Sequence, residues 1–300
     1  MCGFANEANV TRLGNGFEGG SLVTSEEFGF ISKLLADRSA IVLEPGKEYL
    51  VETRLSPIMR NLELTSISDL IGKLKQPGSQ LLATQVVEAL LTNETSFFRD
   101  GHPFESLRKF VLPDLIRRRS GERSLMIWCC ASSTGQEPYS LALLLREHFP
   151  ELRSWKILIL ATDLSRESLA RAREGVYNQI EVGRGLSSAL LNKYFSPVNT
   201  GTHWQLKEET RKLVEFRELN LSQPWPFLPR MDLILNRNVM IYFDVSTKKS
   251  ILSRLAQVLR SDGYLLLGGA ETTFQLEDSF RRVEALNAGF YQLTNDAKTG

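Results

Sequence analysis

The sequence predicts an α/β fold: a Rossmann-like parallel sheet with a terminal antiparallel hairpin, preceded by a small all-helical domain and carrying a small inserted β subdomain. Three observations predict it. From Ser124 onward, apolar runs of strand length alternate with helical segments, the pattern of a parallel sheet covered by helices on both faces. Near the end, 280–284 and 290–294 read as two strands joined by a short loop containing Gly289, an antiparallel addition that dehydrogenase-type Rossmann sheets lack. Before Ser124 the apolar residues recur at helical spacing.

The elements follow in order. Residues 1–21, rich in Gly, Asn and small polar side chains, predict a disordered tail. Residues 22–92 predict the helical domain. Ser25 is placed to cap a helix carrying Phe28, Ile31 and Leu34. A second helix covers 47–61, with Pro57 as a kink or break. A third follows Ser68, with Leu70, Ile71 and Leu74 on one face, and Pro77-Gly78 ends it. A fourth runs over 79–91. Residues 93–123 form the linker, helical over 103–119. The sheet domain, 124–300, then reads as strand 125–131, helix 138–148, strand 156–161, helix 166–174, strand 213–219, strand 231–235, helix 246–259 closed by Asp262-Gly263, and strand 264–267. The segment 177–212 breaks the alternation. It predicts a helix over 186–195 and a small hairpin of 203–206 with 211–214, hence an inserted β subdomain at about 196–214. Such long insertions are usually functional.

Composition narrows the function. Three hundred residues at 42% hydrophobic composition bury a substantial core. A formal charge of +1 argues against a nucleic-acid binder. No apolar run approaches the roughly 20 residues that span a bilayer, and the first residues show no signal-peptide pattern. Three cysteines, of which Cys129 and Cys130 are adjacent, make no disulfide framework and point to a reducing cytoplasm. The three histidines show no metal-ligand spacing, so no metal site is expected.

Chemistry concentrates in four places. The most informative is Trp128-Cys129-Cys130-Ala131-Ser132-Ser133-Thr134-Gly135-Gln136-Glu137-Pro138. It reads as a buried strand, a tight turn and a helix start, where such sheets bind nucleotide-like cofactors. The glycine-rich fingerprint that brings amides up to a pyrophosphate is missing. One glycine and an acidic residue suit a cofactor with a ribose, a positive charge and no phosphates, and S-adenosylmethionine (SAM) fits. Glu137 can pair with its amine, or simply favour the helix N-terminus. Asp163, just past the second strand, can accept from a ribose or cap the next helix, a role open to Ser165 as well. Asn236-Arg237-Asn238 follow the strand 231–235, where polar groups face the ligand crevice. Tyr242 is an aromatic for the reacting methyl or a core residue. Thr92-Asn93-Glu94-Thr95-Ser96-Phe97-Phe98-Arg99 is a polar junction loop or a capped helix start.

In order and spacing, Thr92–Arg99, Ala131–Ser140, Ala161-Thr162-Asp163 and Asn236–Asp244 resemble the CheR family of SAM-dependent methyltransferases, which esterify chemoreceptor glutamates. The resemblance runs from about Thr24 to Thr294. It implies that Asn93, Thr95 and Arg99 contact SAM, that Glu137 receives its amino group and Asp163 its ribose, and that Asn220 and Leu221 lie beside the adenine. Arg237 and Asn238 complete the pocket, and Tyr242 sits near the methyl. Gln136 stands where an acidic residue is common in the family. The implied partner is the cytoplasmic domain of a chemoreceptor. The inserted segment is slightly shorter than in members that grip a receptor's C-terminal tail peptide, which counts against tethering. A cytoplasmic monomer with no fused domain after the hairpin is expected.

The reaction so implied is in-line displacement, giving a glutamyl methyl ester and S-adenosylhomocysteine (SAH). The nucleophile is already ionised, and alignment can supply about 7–11 kcal/mol. Arg99 and Tyr242 are the candidate catalytic residues, Arg99 as a clamp on the incoming carboxylate or as an organiser of the cofactor loop. Lys47 and Arg54, seven apart, offer a basic helix face for an acidic receptor or a merely solvated one. A nicotinamide-dependent oxidoreductase lacks support because the glycine fingerprint is absent. A non-catalytic SAM-binding adaptor would be expected to lose the cofactor contacts, which are all present.

Overall fold

The computed structural model describes residues 23–284, 286 and 288–294, so the tail expected at 1–21 lies outside the described residues. The described residues begin with four helices: α1 (Ser25–Ser39), α2 (Glu48–Asn61), α3 (Ile67–Leu74) and α4 (Gln80–Leu90). Thr24, not Ser25, caps α1: its hydroxyl accepts from the Glu27 N–H while the Glu27 carboxylate takes the Thr24 N–H. Ser66 and Asp69 form the same reciprocal pair on α3. Pro57 lies inside α2 without ending it. Ile31, Leu35, Val51, Leu55, Leu70 and Val86, from all four helices, are fully buried in one cluster. Each contributes about 1.5–3 kcal/mol, and this shared core holds helices too short to persist alone.

A helical rod crosses to the sheet: α5 (His102–Ser106), one π turn (Leu107–Val111) and α6 (Leu112–Arg119). The π turn has a local cause. Pro113 has no N–H to continue the ladder, and the Leu112 N–H reaches back five residues to Leu107 O.

The sheet domain follows as β1 (Ser124–Cys130), α7 (Gln136–His148), β2 (Lys156–Asp163), α8 (Arg166–Glu174), β3 (Val176–Asn178), α9 (Gln179–Gly183), α10 (Ser188–Tyr194), β4 (Phe195–Val198), β5 (His203–Leu206), α11 (Glu208–Arg211), β6 (Val214–Glu218), β7 (Met231–Asn236), α12 (Val245–Val258), β8 (Leu259–Leu267), β9 (Phe280–Arg282) and β10 (Gly289–Leu293). Among the described residues seven strands form one sheet, in the order β6-β2-β1-β7-β8-β10-β9. The first five are parallel, and β10 runs antiparallel to β8 and to β9. Leu125, Ile127 and Cys129 enter one core while Trp128 and Cys130 enter the other, so both faces of β1 are covered. The chain leaves β1 toward β2 and β6, then returns to place β7 on the other side of β1. Ligands bind beyond the strand ends at such a reversal.

Four sequence expectations are corrected. The inserted β subdomain is a three-stranded sheet, β3-β5-β4, spanning 176–206 rather than 196–214. The expected hairpin partner of β5 is not a strand. Glu208–Arg211 is a helical turn closed by a Lys212–Glu208 ion pair, and Val214 opens β6, which finds the free edge of β2. Asp262-Gly263 does not close α12. That helix ends at Val258, and β8 runs through both residues. Asp262 is drawn into the strand by the Arg119 guanidinium at 2.5 and 2.9 Å. At Gly263 a Cβ would lie 2.9 Å from Asp232 O. Gly289 belongs to β10 rather than to the loop, packed where a Cβ would lie 3.1 Å from Leu267 O.

Candidate active site

Beyond the ends of β1, β2 and β7 lies a cavity of about 1260 Å³, its open mouth included. Leu35, Ile41 and Leu50 of the helical domain form part of its wall. All ten residues singled out from the sequence line it: Asn93, Thr95, Arg99, Glu137, Asp163, Asn220, Leu221, Arg237, Asn238 and Tyr242.

The loop after β1 turns tightly by entering the left-handed region at Ala131, Ser133 and Gly135, with φ of 48°, 50° and 94°. The conformation is uncommon for the first two. Backbone bonds hold it, from Ser132 N to Thr162 O at 2.8 Å and from Ser133 N to Asp163 Oδ2 at 2.7 Å. Gly135 is required twice over. A Cβ there would lie 3.0 Å from Ala172 Cβ and 3.2 Å from the Tyr177 hydroxyl.

Asp163 is the last residue of β2. Its Oδ2 takes the Ser133 N–H, and its Oδ1 takes the Ser165 N–H at 2.8 Å. Ser165, not Asp163, caps α8. Burial pushes the Asp163 carboxyl above its ordinary pKa, against the pull of the backbone N–H groups. Each carboxylate oxygen has a second lone pair for a hydroxyl donor.

Glu137, the second residue of α7, meets Arg237 across the crevice. Arg237 Nη1 donates to Glu137 Oε2 at 2.6 Å, and Nη2 donates to Asp100 Oδ2 at 2.7 Å and to Arg99 O at 3.1 Å. The Arg237 side chain is 2% exposed. Burial raises the Glu137 pKa, while the Arg237 charge and hydrogen bond, and Arg99 beyond them, pull it back. Arg237 thus organises the site by pairing with the carboxylate expected to receive an ammonium. Arg99 donates to Glu94 O at 3.0 Å, which folds the 94–99 loop back on itself.

That loop is pinned from three sides. Phe97 packs edge-on against Tyr177 and Phe195, at 5.0 and 5.7 Å. The Ser133 hydroxyl donates to Asn93 O at 2.9 Å. Arg54 donates to Leu90 O at 2.6 Å, Leu91 O at 3.0 Å and Thr92 Oγ1 at 3.2 Å. Arg54 thus closes the end of α4, Lys47 stands just before α2 and pairs with Glu44, and both line the cavity.

Asn220 ties the two domains. Its Nδ2 donates to Arg38 O at 2.7 Å, and its Oδ1 accepts from the Ser222 N–H and hydroxyl. Tyr242 ends a short 3-10 turn, and its carbonyl accepts from Val42 N at 2.9 Å, beside a bridge between Ile41 and Phe243. Arg54 was read in the sequence only as part of a basic helix face, not as a cavity residue. Glu271, which binds the backbone of the loop after β7, went unread. The available signal was Gly268-Gly269 directly after an apolar strand, a turn that lets a following acid fold back.

The donor set suits SAM. Asp163 and Glu137 offer carboxylate oxygens for a ribose and an ammonium. The Ser132 hydroxyl, buried in the cavity wall, has no hydrogen-bond partner among the described residues. Among the described residues no His, Cys, Asp and Glu are grouped to hold a metal ion. Burial raises both Cys129 and Cys130 thiols well above their ordinary pKa, as expected of packing residues.

Comparison with known proteins agrees. A family model described as "CheR methyltransferase, SAM binding domain" matches residues 93–288, and one described as "CheR methyltransferase, all-alpha domain" matches residues 26–91. "Chemotaxis protein methyltransferase 1" of Pseudomonas aeruginosa is 39% identical over 86% of this chain and 94% of its own length. "Chemotaxis protein methyltransferase" of Vibrio anguillarum is 36% identical over 90% and 98%. "Chemotaxis protein methyltransferase Cher2" of Pseudomonas putida is 38% identical over 84% and 92%.

Proposed function

The chain belongs to the CheR methyltransferase family and is a SAM-dependent methyltransferase, and from that premise we propose that it methylates glutamate carboxylates of chemoreceptors for sensory adaptation. The products are glutamyl methyl esters and SAH. One observation carries the reading: four separate chain segments, 92–99, 131–137, 163 and 237–242, converge on a single cavity shared with the helical domain.

SAM supplies an electrophilic sulfonium methyl group. The rest is the work of the chain. Asp163 would hold the ribose diol, and Glu137, oriented by Arg237, would hold the ammonium. Asn220 and Leu221 would lie beside the adenine, Asn220 also tying the helical domain to the sheet. Asn93 and Thr95 close one wall, and Asn238 closes the other. Arg99 orients the incoming carboxylate and Tyr242 lies along its approach. The carboxylate nucleophile is already ionised and needs no general base. The partner is the cytoplasmic domain of a receptor, met by a cytoplasmic monomer. Among the described residues no helix is long and apolar enough to cross a membrane.

The test is transfer of radiolabelled methyl from SAM to chemoreceptor-containing membranes, followed by base treatment. Base-labile label on a receptor-sized band is the expected result. Base-stable label would replace carboxyl esterification with another acceptor, and absence of SAM binding would overturn the whole reading.

A further inference from the structure

Glu271 lies four residues past the end of β8 and is 8% exposed. Its carboxylate receives four backbone N–H groups. Oε2 accepts from Gly268 at 2.7 Å and Asn238 at 2.8 Å, and Oε1 accepts from Val239 at 2.9 Å and Met240 at 2.8 Å. A carboxylate offers about four lone-pair sites, so these donors use its full capacity. Three of them belong to the loop after β7, which carries Arg237 at one end and Tyr242 at the other. The fourth belongs to the turn after β8.

The contact also fixes an unusual backbone. Asn238 sits in the left-handed region at φ 57°, and the bonds from its own N–H and from the next two hold it there. Gly268 is the close neighbour. A Cβ there would lie 2.7 Å from Glu271 Oε2 and 2.9 Å from Asn238 N. Glu271 is absent from the main cavity wall and lines an adjoining cleft instead. It therefore acts from behind the loop.

We propose that Glu271 is a positioning residue for methyl transfer: its carboxylate sets the backbone from which Arg237 reaches Glu137 and Tyr242 reaches the cavity. The inference rests on the methyltransferase reading above. Misplacement of reacting groups by about 1 Å can lower a rate roughly 100-fold, so a loop held at three successive N–H groups is a sensitive point.

Glu271→Gln tests this without changing size. Whichever way the amide turns, its NH2 faces two N–H donors. The expected result, measured on folded enzyme, is a roughly 10- to 100-fold loss of kcat/KM for SAM. Tyr242→Phe should then cost less in the Glu271→Gln background than in the wild type, because the tyrosine is already misplaced. A lower melting temperature with unchanged kcat and KM, and an undiminished effect of Tyr242→Phe, would reduce Glu271 to a structural pin and overturn the inference. If Glu271→Gln does not fold, Glu271→Asp keeps the charge, withdraws the oxygens by one methylene and is read by the same two measurements. Wild-type enzyme that binds no SAH and transfers no methyl overturns the underlying function and this inference with it. Active wild type beside unaffected Glu271 variants overturns this inference alone.

Discussion

Arg237 and Glu137 depend on each other because neither is well placed to meet water. Removing Arg237 leaves a buried carboxylate without its cation, a lesion of about 3–5 kcal/mol. Arg237→Ala is expected to lower unfolding stability by that amount in urea and to weaken SAH binding at least tenfold by calorimetry. Tight SAH binding by the variant would remove the orienting role. Among the two catalytic candidates, Arg99→Ala should reduce turnover more than Tyr242→Phe at saturating SAM, and equal or reversed losses would overturn that order. Acidity gives a third residue-scale test. Burial raises Glu137 above its ordinary 4.5 and Asp163 above its ordinary 3.8. Folding therefore favours their protonated forms. Their contribution to stability is full below those ordinary values and is lost as pH rises through the raised ones. Cofactor binding needs the ionised forms and runs the other way. SAH affinity should fall on acidification while the pH is still above 4.5, and Glu137→Gln should weaken binding at neutrality and flatten that fall. Calorimetric titrations across pH check it, and a wild-type profile flat down to the ordinary carboxylate range would refute it.

Elements whose limits are set by neighbours in sequence were legible, and those set by distant partners were not. Helix α8 occupies the expected span 166–174 because Ser165 caps one end and Gly175, in the left-handed region, the other. The three-stranded sheet was misread because β5 pairs with two strands that both precede it, β4 just before it and β3 beyond two intervening helices, and no local signal points back to β3. Strand β8 was cut short because Asp-Gly usually marks a turn, whereas here Arg119 and the close approach of Asp232 hold it extended. Glu137, Asp163, Arg237, Asn238 and Tyr242 were legible as motifs following strands, and Asn93, Thr95 and Arg99 as a polar junction loop, while Asn220 and Leu221 came only from the family resemblance. Glu271 was not legible, since its donors assemble only when two loops fold together. Phe97 connects the site loop to the small sheet through Tyr177 and Phe195. Phe97→Ala should cost about 3–5 kcal/mol of stability and weaken SAH binding through the loop. A urea midpoint and SAH affinity both equal to wild type would show that the loop is held elsewhere.

At the scale of the molecule, the cavity is a joint between two domains. Arg38 O and Asn220, Val42 and Tyr242, and Glu88 and the Arg166 N–H hold it together. A ligand bound there should stabilise both domains at once. SAH at about 100 times its Kd should add about 2.7 kcal/mol and slow amide exchange in α1 and α2 as well as in the sheet. Protection confined to the sheet would show that the helical domain does not share the ligand. The strand order has a further consequence, for synthesis. Strand β10 lies between β8 and β9 although both precede it in the chain. As the polypeptide leaves the ribosome, one edge of β8 stays bare until residues 289–293 emerge and slot in. A translation product stopped short of them would carry an adhesive edge into the cell. The yield of this protein should therefore depend on how quickly its last strand is delivered.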